Sequence, residues 1–475
     1  MTKQSVLTLD NLEETLANDT KIKVAAVDID GLLRGKVMHK DKFLHVAKDG
    51  FGFCSVIFGW DIQDNNYTTP SEFAGKDCQY FDLIAKIDLS SYRRIPWEND
   101  IPFFFVSLYH PVTNKPLYCC PRNLLKSAVD QFNGLGLSPY CGVEFEFFCF
   151  KGKLRNTDAH IIAETTESLS AKGHSQLTPL TLGMCGYSVL RPLQNQEFYY
   201  NAFDWLKQFR VDVESWHTET GPGVFEAAVL YQEAKEMGDR GTLFKTSMKQ
   251  IGLKHNVMPS FMAKPYSDQP GCSGHMHFSL KNEKGENVFA IGEPSEDVPN
   301  LTKDAVWFLA GVLKGLPSIL AILAPTVNSY KRLVENYWAP VSVSWGMDSR
   351  HSAVRVIAPP STSASATRME MRVSGADINP HLALAAVLKC GYWGIETKQE
   401  LPTGPSQTAG DQAGNQRLAR TLQEATEEMD KKDSVARKVL GDEFVDHYVS
   451  TRKHEWNLWQ NTVTDYELKR YMELV

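Results

Sequence analysis

The 475-residue sequence lacks a cysteine pattern that would support a disulfide framework or a zinc site. Its nine cysteines are an odd number, and no two are spaced as Cys-x-x-Cys, the spacing shared by many small metal and redox motifs. Structural disulfides belong to oxidising compartments. The cysteine usage therefore predicts a protein of a reducing compartment.

The sequence also lacks a basic excess, a signal-like start and a clear membrane span. Because the formal net charge is -7 and phosphate-rich surfaces need a basic partner, we expect neither nucleic acid nor a membrane as partner. The start, MTKQSVLTLDNLEE, has no basic residues followed by an apolar run, so we expect no secretory signal and a cytoplasmic location. Residues 305–327 are apolar but contain Lys314 and Pro317, and they are interpreted as a buried core helix.

What the sequence does contain is enough apolar material for two domains, since 43% of its residues are hydrophobic. Near the N-terminus, KIKVAAVDIDGLLRGKVM predicts two strands around an Asp-Gly turn. Further on, CCPRNLLKSAVDQFNGLGL predicts a helix that begins at a proline and ends at a glycine. We place a boundary near residue 115, between a small mixed domain (1–115) and a large one (116–475). No GxxxxGK[ST] loop is present, which excludes a P-loop nucleotide site.

Three predicted strands carry charged residues on one face. In GVEFEFF, Glu144 and Glu146 lie on the same face because alternate side chains of a strand point the same way. The same alternation occurs in HMHFSL with His275, His277 and Ser279, and in RMEMRV with Arg368, Glu370 and Arg372. A solvated surface strand also alternates, but Glu, His and Arg are the residues that suit metal and phosphate binding.

Two carboxylates held close together repel each other, and one takes up a proton unless a cation lies between them. Carboxylate oxygens favour Mg²⁺ or Mn²⁺ over zinc. Glu219 and Glu226 flank a Gly-Pro-Gly turn that can bring both acids to one site. Arginines in apolar surroundings, such as Arg332 and Arg355, usually bind a planar anion; structural ion pairing is the alternative for each of them.

These segments together resemble the glutamine synthetase superfamily over essentially the full chain. The matching motifs are GVEFEFF, ETGPGVFE, FMAKPY, GCSGHMH, NSYKRL, SWGMDSRHSAVRV and RMEMRVSGADINPHLALAA. The resemblance implies an α+β fold, with an N-terminal β-grasp domain and a catalytic domain built on a curved antiparallel sheet flanked by helices. It also implies ring oligomers, commonly dodecamers of two stacked hexamers, with active sites between subunits.

The resemblance further implies roles for individual residues, with ATP, glutamate and an amine as substrates and two or three Mg²⁺ or Mn²⁺ ions per site. One metal is implied for Glu146, Glu219 and Glu226, and a second for Glu144, His275 and Glu370. Glutamate binding is implied for Gly271, Arg332, Arg350 and Arg372. ATP binding is implied for Tyr231, His277, Ser279, Arg355 and Arg368. The residues expected nearest the reaction are Arg350, Glu226 and Trp338.

The implied reaction has two steps: ATP phosphorylates the γ-carboxylate of glutamate, and an amine then displaces phosphate. Ordinary glutamine synthetases have Tyr-Glu-Ala-Pro after NSYKRL, whereas this chain has Trp338 in NYWAP. An indole accepts no proton, but its face suits an organic amine. The sequence therefore resembles the γ-glutamylpolyamine synthetase branch, and we expect an amine pocket that includes Trp338, Tyr187 and, from an adjacent subunit, Asp61.

Three alternatives stay open from the sequence. The chain could be a glutamine synthetase that uses ammonia, or a non-catalytic structural or signalling relative that keeps the fold. The strand and turn VAAVDIDG also resembles the Asp-x-Asp start of a phosphatase, although Leu32 stands where that motif has Thr or Val.

Overall fold

Two β-sheets organise the part of the chain that the computed structural model describes, residues 7–69, 71–74, 78–152, 177–335, 339–408 and 414–475. The first sheet contains β1 (Lys21–Val27), β2 (Leu33–His39), β3 (Phe51–Cys54), β4 (Asp82–Ile87), β5 (Arg93–Ile95) and β6 (Ile101–Tyr109). The second contains β7 (Leu137–Lys151), β8 (Val213–Thr218), β9 (Val224–Glu233), β10 (Val257–Ser260), β11 (Gly274–Asn282), β12 (Trp345–Met347), β13 (Val354–Ile357) and β14 (Arg368–Met371).

Helices pack on both sheets and lie before, between and after the strands in the sequence. They are α1 (Leu9–Thr15), α2 (Lys40–Val46), α3 (Pro121–Asn133), α4 (Gln196–Gln208), α5 (Ala234–Lys254), α6 (Lys303–Leu323), α7 (Pro380–Glu396), α8 (Leu422–Asp430), α9 (Val435–Leu440), α10 (Asp442–Gln460) and α11 (Asp465–Tyr471). The predicted proline and glycine signals of α3 are confirmed, since the helix begins at Pro121 and Gly134 follows its last residue.

The predicted N-terminal hairpin is confirmed. Strands β1 and β2 pair antiparallel from Lys21 opposite His39 to Val27 opposite Leu33, and Gly31 takes the left-handed conformation (φ 85°) in the turn between them. Side chains on the two faces of β1 enter different cores: Val24 packs in one hydrophobic cluster and Ala25 in the other. The first sheet therefore contributes to both cores of the molecule.

The second sheet has the strand order β12-β13-β14-β11-β7-β9-β8, with β10 paired to β7. Its pairs are antiparallel except for β12 and β13, which run parallel. The expected antiparallel sheet is confirmed, with this one parallel pair added at its edge. The cause is local, because residues 348–353 carry the chain back to the start of β12 before β13 begins.

Helix α6 confirms the predicted buried core helix. Within the described ranges one helix, α6, is long and apolar enough to span a membrane by length and composition, and 83% of its apolar window is buried inside the protein. The helix continues through Pro317, and the Nζ of Lys314 reaches the side-chain oxygen of Gln399 at 2.8 Å. The long side chain of Lys314 thus carries its charged amine away from the apolar helix to a hydrogen-bond acceptor.

Candidate active site

Charged and imidazole side chains form a continuous row on one face of the second sheet. The cross-strand register places Glu146 opposite Glu226, Glu226 opposite His217, His275 opposite Glu144, His277 opposite Glu370, and Glu370 opposite Arg355. Directly opposite residues of an antiparallel pair lie on the same face. The row therefore runs from β13 through β14, β11, β7 and β9 to β8, while intervening side chains such as Phe145 and Met276 are buried in the core.

At the β8–β9 end, ligand atoms of His217, Glu219 and Glu226 all lie within 4.8 Å of one another. Glu146 faces Glu226 across the strands, and one of its oxygens accepts a hydrogen bond from the backbone N–H of Ser273 at 2.6 Å. Burial together with the negative charges of Glu146, Glu144 and Glu219 raises the pKa of Glu226 to about 9. The acidic neighbours keep this carboxyl group protonated. A divalent cation among them would offset the repulsion between the carboxylates and allow the group to ionise.

At the β11–β14 end, Glu144, His277 and Glu370 form a second group whose ligand atoms lie within 4.8 Å of one another. The Nδ1 of His275 is 3.4 Å from Glu370 Oε1 and 3.9 Å from Glu144 Oε2. His277 Nε2 is closer, at 3.0 Å from Glu144 Oε1. Both histidines of the strand thus reach the carboxylates, although only His275 is implied as a metal ligand by the family resemblance.

The protonation states at this end suit a cation. Burial and the nearby Arg372 guanidinium lower the pKa of His275, which leaves its imidazole neutral and able to ligate. Burial opposes the ionisation of Glu370, but positive charge beside it, from His275 when that ring is protonated and from the Arg372 guanidinium, lowers its pKa to about 2. Carboxylate oxygens with one or two imidazoles form a donor set for Mg²⁺ or Mn²⁺. The donors of both groups therefore fit the implied metals.

Two of the three arginines predicted to bind glutamate, Arg332 and Arg372, are buried and fixed by neighbours, whereas Arg350 is exposed. Arg372 is ion-paired with Glu370 and donates from Nε to the carbonyl of Arg350 at 3.1 Å. The Nη2 of Arg332 donates to the carbonyls of Val373 and Ser374 at 2.6 and 2.7 Å. These bonds place Arg332 directly behind the segment that carries Arg372.

Gly271, also predicted to contact glutamate, lies against Arg332. A Cβ atom at this glycine would stand 2.6 Å from the Cγ of Arg332 and 2.6 Å from the carbonyl oxygen of Ala263. A side chain at position 271 would therefore require Arg332 or the backbone of Ala263 to move. The glycine therefore allows the backbone to approach Arg332, and its contact with glutamate stays a prediction.

A cavity of about 600 Å³ opens beside the second metal-ligand group. Its lining includes four of the five residues predicted to bind ATP: Tyr231, His277, Ser279 and Arg368. Gly142, which lies opposite His277, also lines the cavity. A cavity of this size matches those that bind small molecules. The fifth residue, Arg355, lies outside this lining and contacts Glu370 at 3.0 Å.

His217 was missed as a functional residue from the sequence. Its Nε2 lies 3.5 Å from Glu226 Oε2, and its ring stacks on Tyr187 with centroids 4.2 Å apart and planes at 21°. Tyr187 has φ 56° and is held by its N–H, which donates to the carbonyl of Thr218 at 2.7 Å. The alternation of His217 and Glu219 in WHTE was the signal that could have identified it.

Of the other predicted amine-pocket residues, Asp61 is not brought to this row. Trp338 lies outside the described residues. Asp61 is buried, and its carboxylate accepts hydrogen bonds from the N–H groups of Gln63 and Asn65 and lies 3.2 Å from His454 Nε2. A contact of Asp61 with an adjacent subunit stays a prediction.

The Asp-x-Asp motif of the first hairpin is structural. Asp28 is 1% exposed and accepts hydrogen bonds from the backbone N–H groups of Asp30 and Leu32 and from Arg34 Nε, at 3.1, 2.8 and 2.8 Å. A nucleophile must be reachable by its substrate. The phosphatase alternative is therefore wrong.

The fold and the paired acidic groups define a candidate cation site beside a cavity of small-molecule size, and comparison with known proteins gives the family. The family model "Glutamine synthetase, catalytic domain" matches residues 118–471. The chain belongs to the glutamine synthetase family, whose members use ATP and divalent metals, and it is a ligase that forms carbon–nitrogen bonds.

Several relatives are similar over nearly the whole chain. Type-1 glutamine synthetase 2 of Dictyostelium discoideum is 42% identical over 98% of this chain and 87% of its own length. Glutamate–isopropylamine ligase of a Pseudomonas species is 32% identical over 100% and 99%. Gamma-glutamylethanolamide synthetase GlnA4 of Streptomyces coelicolor is 30% identical over 95% and 92%. A solved complex of GmaS with ADP has the same fold, with a TM-score of 0.79 at 22% identity over 97% of this chain and 99% of that one.

Proposed function

We propose that this chain is an ATP-dependent glutamate–amine ligase that joins the γ-carboxylate of glutamate to an organic amine or polyamine through γ-glutamyl phosphate. The observation that carries the proposal is the replacement of the ammonium-binding glutamate by Trp338 in NYWAP. A glutamate at this position can attract ammonium through its negative charge and accept its proton, whereas an indole carries no charge and accepts no proton. Its ring offers an apolar face and a cation–π contact of about 0.5–2 kcal/mol to an alkylamine.

In this proposal different residues of the site bind the nucleotide, the glutamate and the transferring phosphoryl group. Tyr231, His277, Ser279 and Arg368 bind the nucleotide in the cavity of about 600 Å³. Arg332 and Arg372, with Gly271, hold the α-carboxylate of glutamate in a fixed orientation. Arg350 and Arg355 neutralise charge on the transferring phosphoryl group.

The acidic residues would hold the metals. Glu146, Glu219 and Glu226 are proposed for one ion, and Glu144, His275 and Glu370 for another. Bound divalent ions would supply positive charge to the phosphoryl oxygens. The convergence of these side chains on one sheet face also argues against a non-catalytic relative. Neighbouring carboxylates repel each other and destabilise the fold unless they bind a cation.

Two relatives support an organic acceptor, because the name of one gives isopropylamine as the partner joined to glutamate and the name of the other gives γ-glutamylethanolamide as its product. The relative with 42% identity is called a glutamine synthetase, so ammonia is the second candidate. His217 and Tyr187, stacked beside Glu226, mark where the amine would approach the γ-carboxylate.

The test is phosphate release by the purified protein with ATP, Mg²⁺, glutamate and a panel of ammonium, monoamines, putrescine and spermidine. We expect at least one organic amine to give a kcat/KM about tenfold or more above ammonium, because only the larger acceptors can add apolar contacts with the indole ring to the cation–π contact. In the variant Trp338→Glu the preference should shift toward ammonium, while Trp338→Phe should keep it.

If ammonium equals or exceeds every organic amine in the wild-type protein, the organic-acceptor proposal is wrong and glutamine synthesis takes its place. Absence of glutamate-dependent phosphate release with every amine would instead favour the non-catalytic alternative.

A further inference from the structure

Arg355 is held by two carboxylates, one from strand β14 and one from the turn that follows β12. It lies opposite Glu370 in the β13–β14 pair, and its Nη1 donates to Glu370 Oε2 at 3.0 Å. On its other edge, Nε donates to Asp348 Oδ1 at 2.8 Å, and Nη2 donates to the same oxygen. A guanidinium has five N–H donors in one plane, so these three bonds fix the plane and leave two donors for another anion.

The backbone brings Asp348 to this position. Asp348 follows β12, takes a left-handed conformation (φ 54°) and donates its N–H to the carbonyl of Val356 at 2.8 Å. Asp and Asn tolerate this conformation better than other residues with a side chain. The turn therefore directs the Asp348 carboxylate back over β13 and onto Arg355.

We propose that Asp348 is a positioning residue for nucleotide binding, which orients Arg355 so that its two remaining N–H donors face a phosphate of ATP. The inference rests on the proposed function, in which Arg355 contacts the nucleotide phosphates. An arginine that is already oriented loses less conformational entropy when a phosphate binds, and its planar fork then recognises two oxygens at once.

A second effect of Asp348 opposes the first, because its negative charge repels phosphate. The Asp348 side chain is 45% exposed and that of Arg355 is 16% exposed, so water and salt screen the repulsion from Asp348 while Arg355 stays fixed. Each charge-assisted bond from Arg355 is local and directional. The orienting effect therefore dominates, and loss of the carboxylate weakens nucleotide binding.

Asp348→Gly and Asp348→Asn test the proposal, because both residues accept the left-handed backbone. We expect Asp348→Gly to raise the KM for ATP, and the Kd of a non-hydrolysable ATP analogue with Mg²⁺ measured by calorimetry, about tenfold. Asp348→Asn keeps one neutral acceptor and should show a smaller increase. The KM for glutamate should stay within about twofold of wild type.

Asp446→Asn is the matched control, since it removes one carboxylate from Arg437, which keeps its bonds to Asp430 and Asp442. This control should leave both nucleotide constants unchanged. In an Arg355→Gln background, Asp348→Gly should have no further effect, because the residue that it positions is gone.

An unchanged analogue Kd in Asp348→Gly, or an equal rise in the KM values for ATP and glutamate, would overturn the proposal. So would a wild-type Kd in Arg355→Gln. All turnover assays use the amine that the wild-type protein turns over fastest. If the organic-acceptor proposal is wrong, the amine panel of the wild-type protein shows it, and the Asp348 test can still be carried out with that amine.

Discussion

At the scale of single residues, the site is governed by carboxylates that are too close to remain ionised by themselves. Glu226 shows this most clearly, because burial and three acidic neighbours raise its pKa to about 9. At neutral pH without a metal it therefore holds a proton, whereas a metal ligand must be ionised. In the proposed metal site, metal binding and proton release are therefore coupled at this residue.

We predict that Mn²⁺ or Mg²⁺ binding to the wild-type protein releases protons at pH 7.5 and that apparent metal affinity rises with pH up to about 9. Calorimetry in buffers of different ionisation enthalpy measures the proton number. In Glu226→Gln the released protons should be fewer by about one. Turnover should fall about 100-fold or more, since mutation of residues that only hydrogen-bond to a metal ligand already lowers metal affinity or activity about 10–100-fold.

Glu283→Gln serves as the control for this prediction, because Glu283 is exposed and lies near Gly136, outside both acidic groups. It should bind metal like wild type. Equal proton release in wild type and Glu226→Gln would show that Glu226 does not hold the metal.

At the scale of elements, α10 joins the C-terminal helices to the first sheet region through a histidine in an aromatic cluster. His447 is 3% exposed and meets Phe73 and Tyr118 edge-on, with centroids 5.6 and 6.3 Å away. Neither of its ring nitrogens has a hydrogen-bond partner in the described part of the chain. Burial and the charge of Arg452 lower the pKa of His447 to about 4, so the packed helix requires the neutral ring.

This histidine predicts an acid-sensitive contact. Because the folded pKa is below the unfolded value near 6.5, its stabilising contribution is complete above about pH 6.5 and is lost as the pH falls toward 4. The loss between pH 7 and pH 5 is about 2 kcal/mol. In His447→Phe, which keeps the aromatic packing, we expect the melting temperature to fall less over this range than in wild type.

Differential scanning fluorimetry between pH 7 and pH 5 measures this effect. The exposed His45 provides the control, and His45→Gln should follow the wild-type curve. Parallel curves for His447→Phe and wild type would mean that His447 is already charged in the folded protein or that its contact does not limit stability.

At the scale of the whole molecule, apolar side chains remain exposed close to the acidic row. Leu182, Tyr187, Val189 and Leu190 are each at least 69% exposed, and Tyr187 stacks on His217 beside Glu226. Exposed apolar patches of this kind mark protein contacts. We propose that they are covered by a second copy of the chain, in rings of the kind that the family resemblance implies, with active sites between subunits.

The corresponding prediction concerns mass in solution. Light scattering coupled to size-exclusion chromatography should give a multiple of the 53.4 kDa chain, with twelve copies as the expected number. Val189→Asp combined with Leu190→Asp should shift the protein to smaller species and lower its activity, because two charges would be buried in the contact. A fully active wild-type monomer would contradict the proposal.

Parts of the site could be predicted from local sequence because strand geometry is periodic. The alternation in GVEFEFF, HMHFSL and RMEMRV identified Glu144, Glu146, His275, His277 and Glu370 as neighbours within their strands, and the structure places them on one face of one sheet. The parallel pairing of β12 and β13 could not be predicted this way, because strand direction depends on the path of residues 348–353. The domain boundary near residue 115 stays a proposal.

The sequence by itself determined which side chains share a strand face, where the hairpin and α3 begin and end, and the family to which the chain belongs. Only the tertiary structure decided that His217 meets Glu226, that Arg332 packs on Gly271, and that Asp348 holds Arg355. The physical reason is that periodicity fixes the direction of a side chain within its own strand. Contacts between strands depend on register, twist and turn conformation, which the whole packed core sets together.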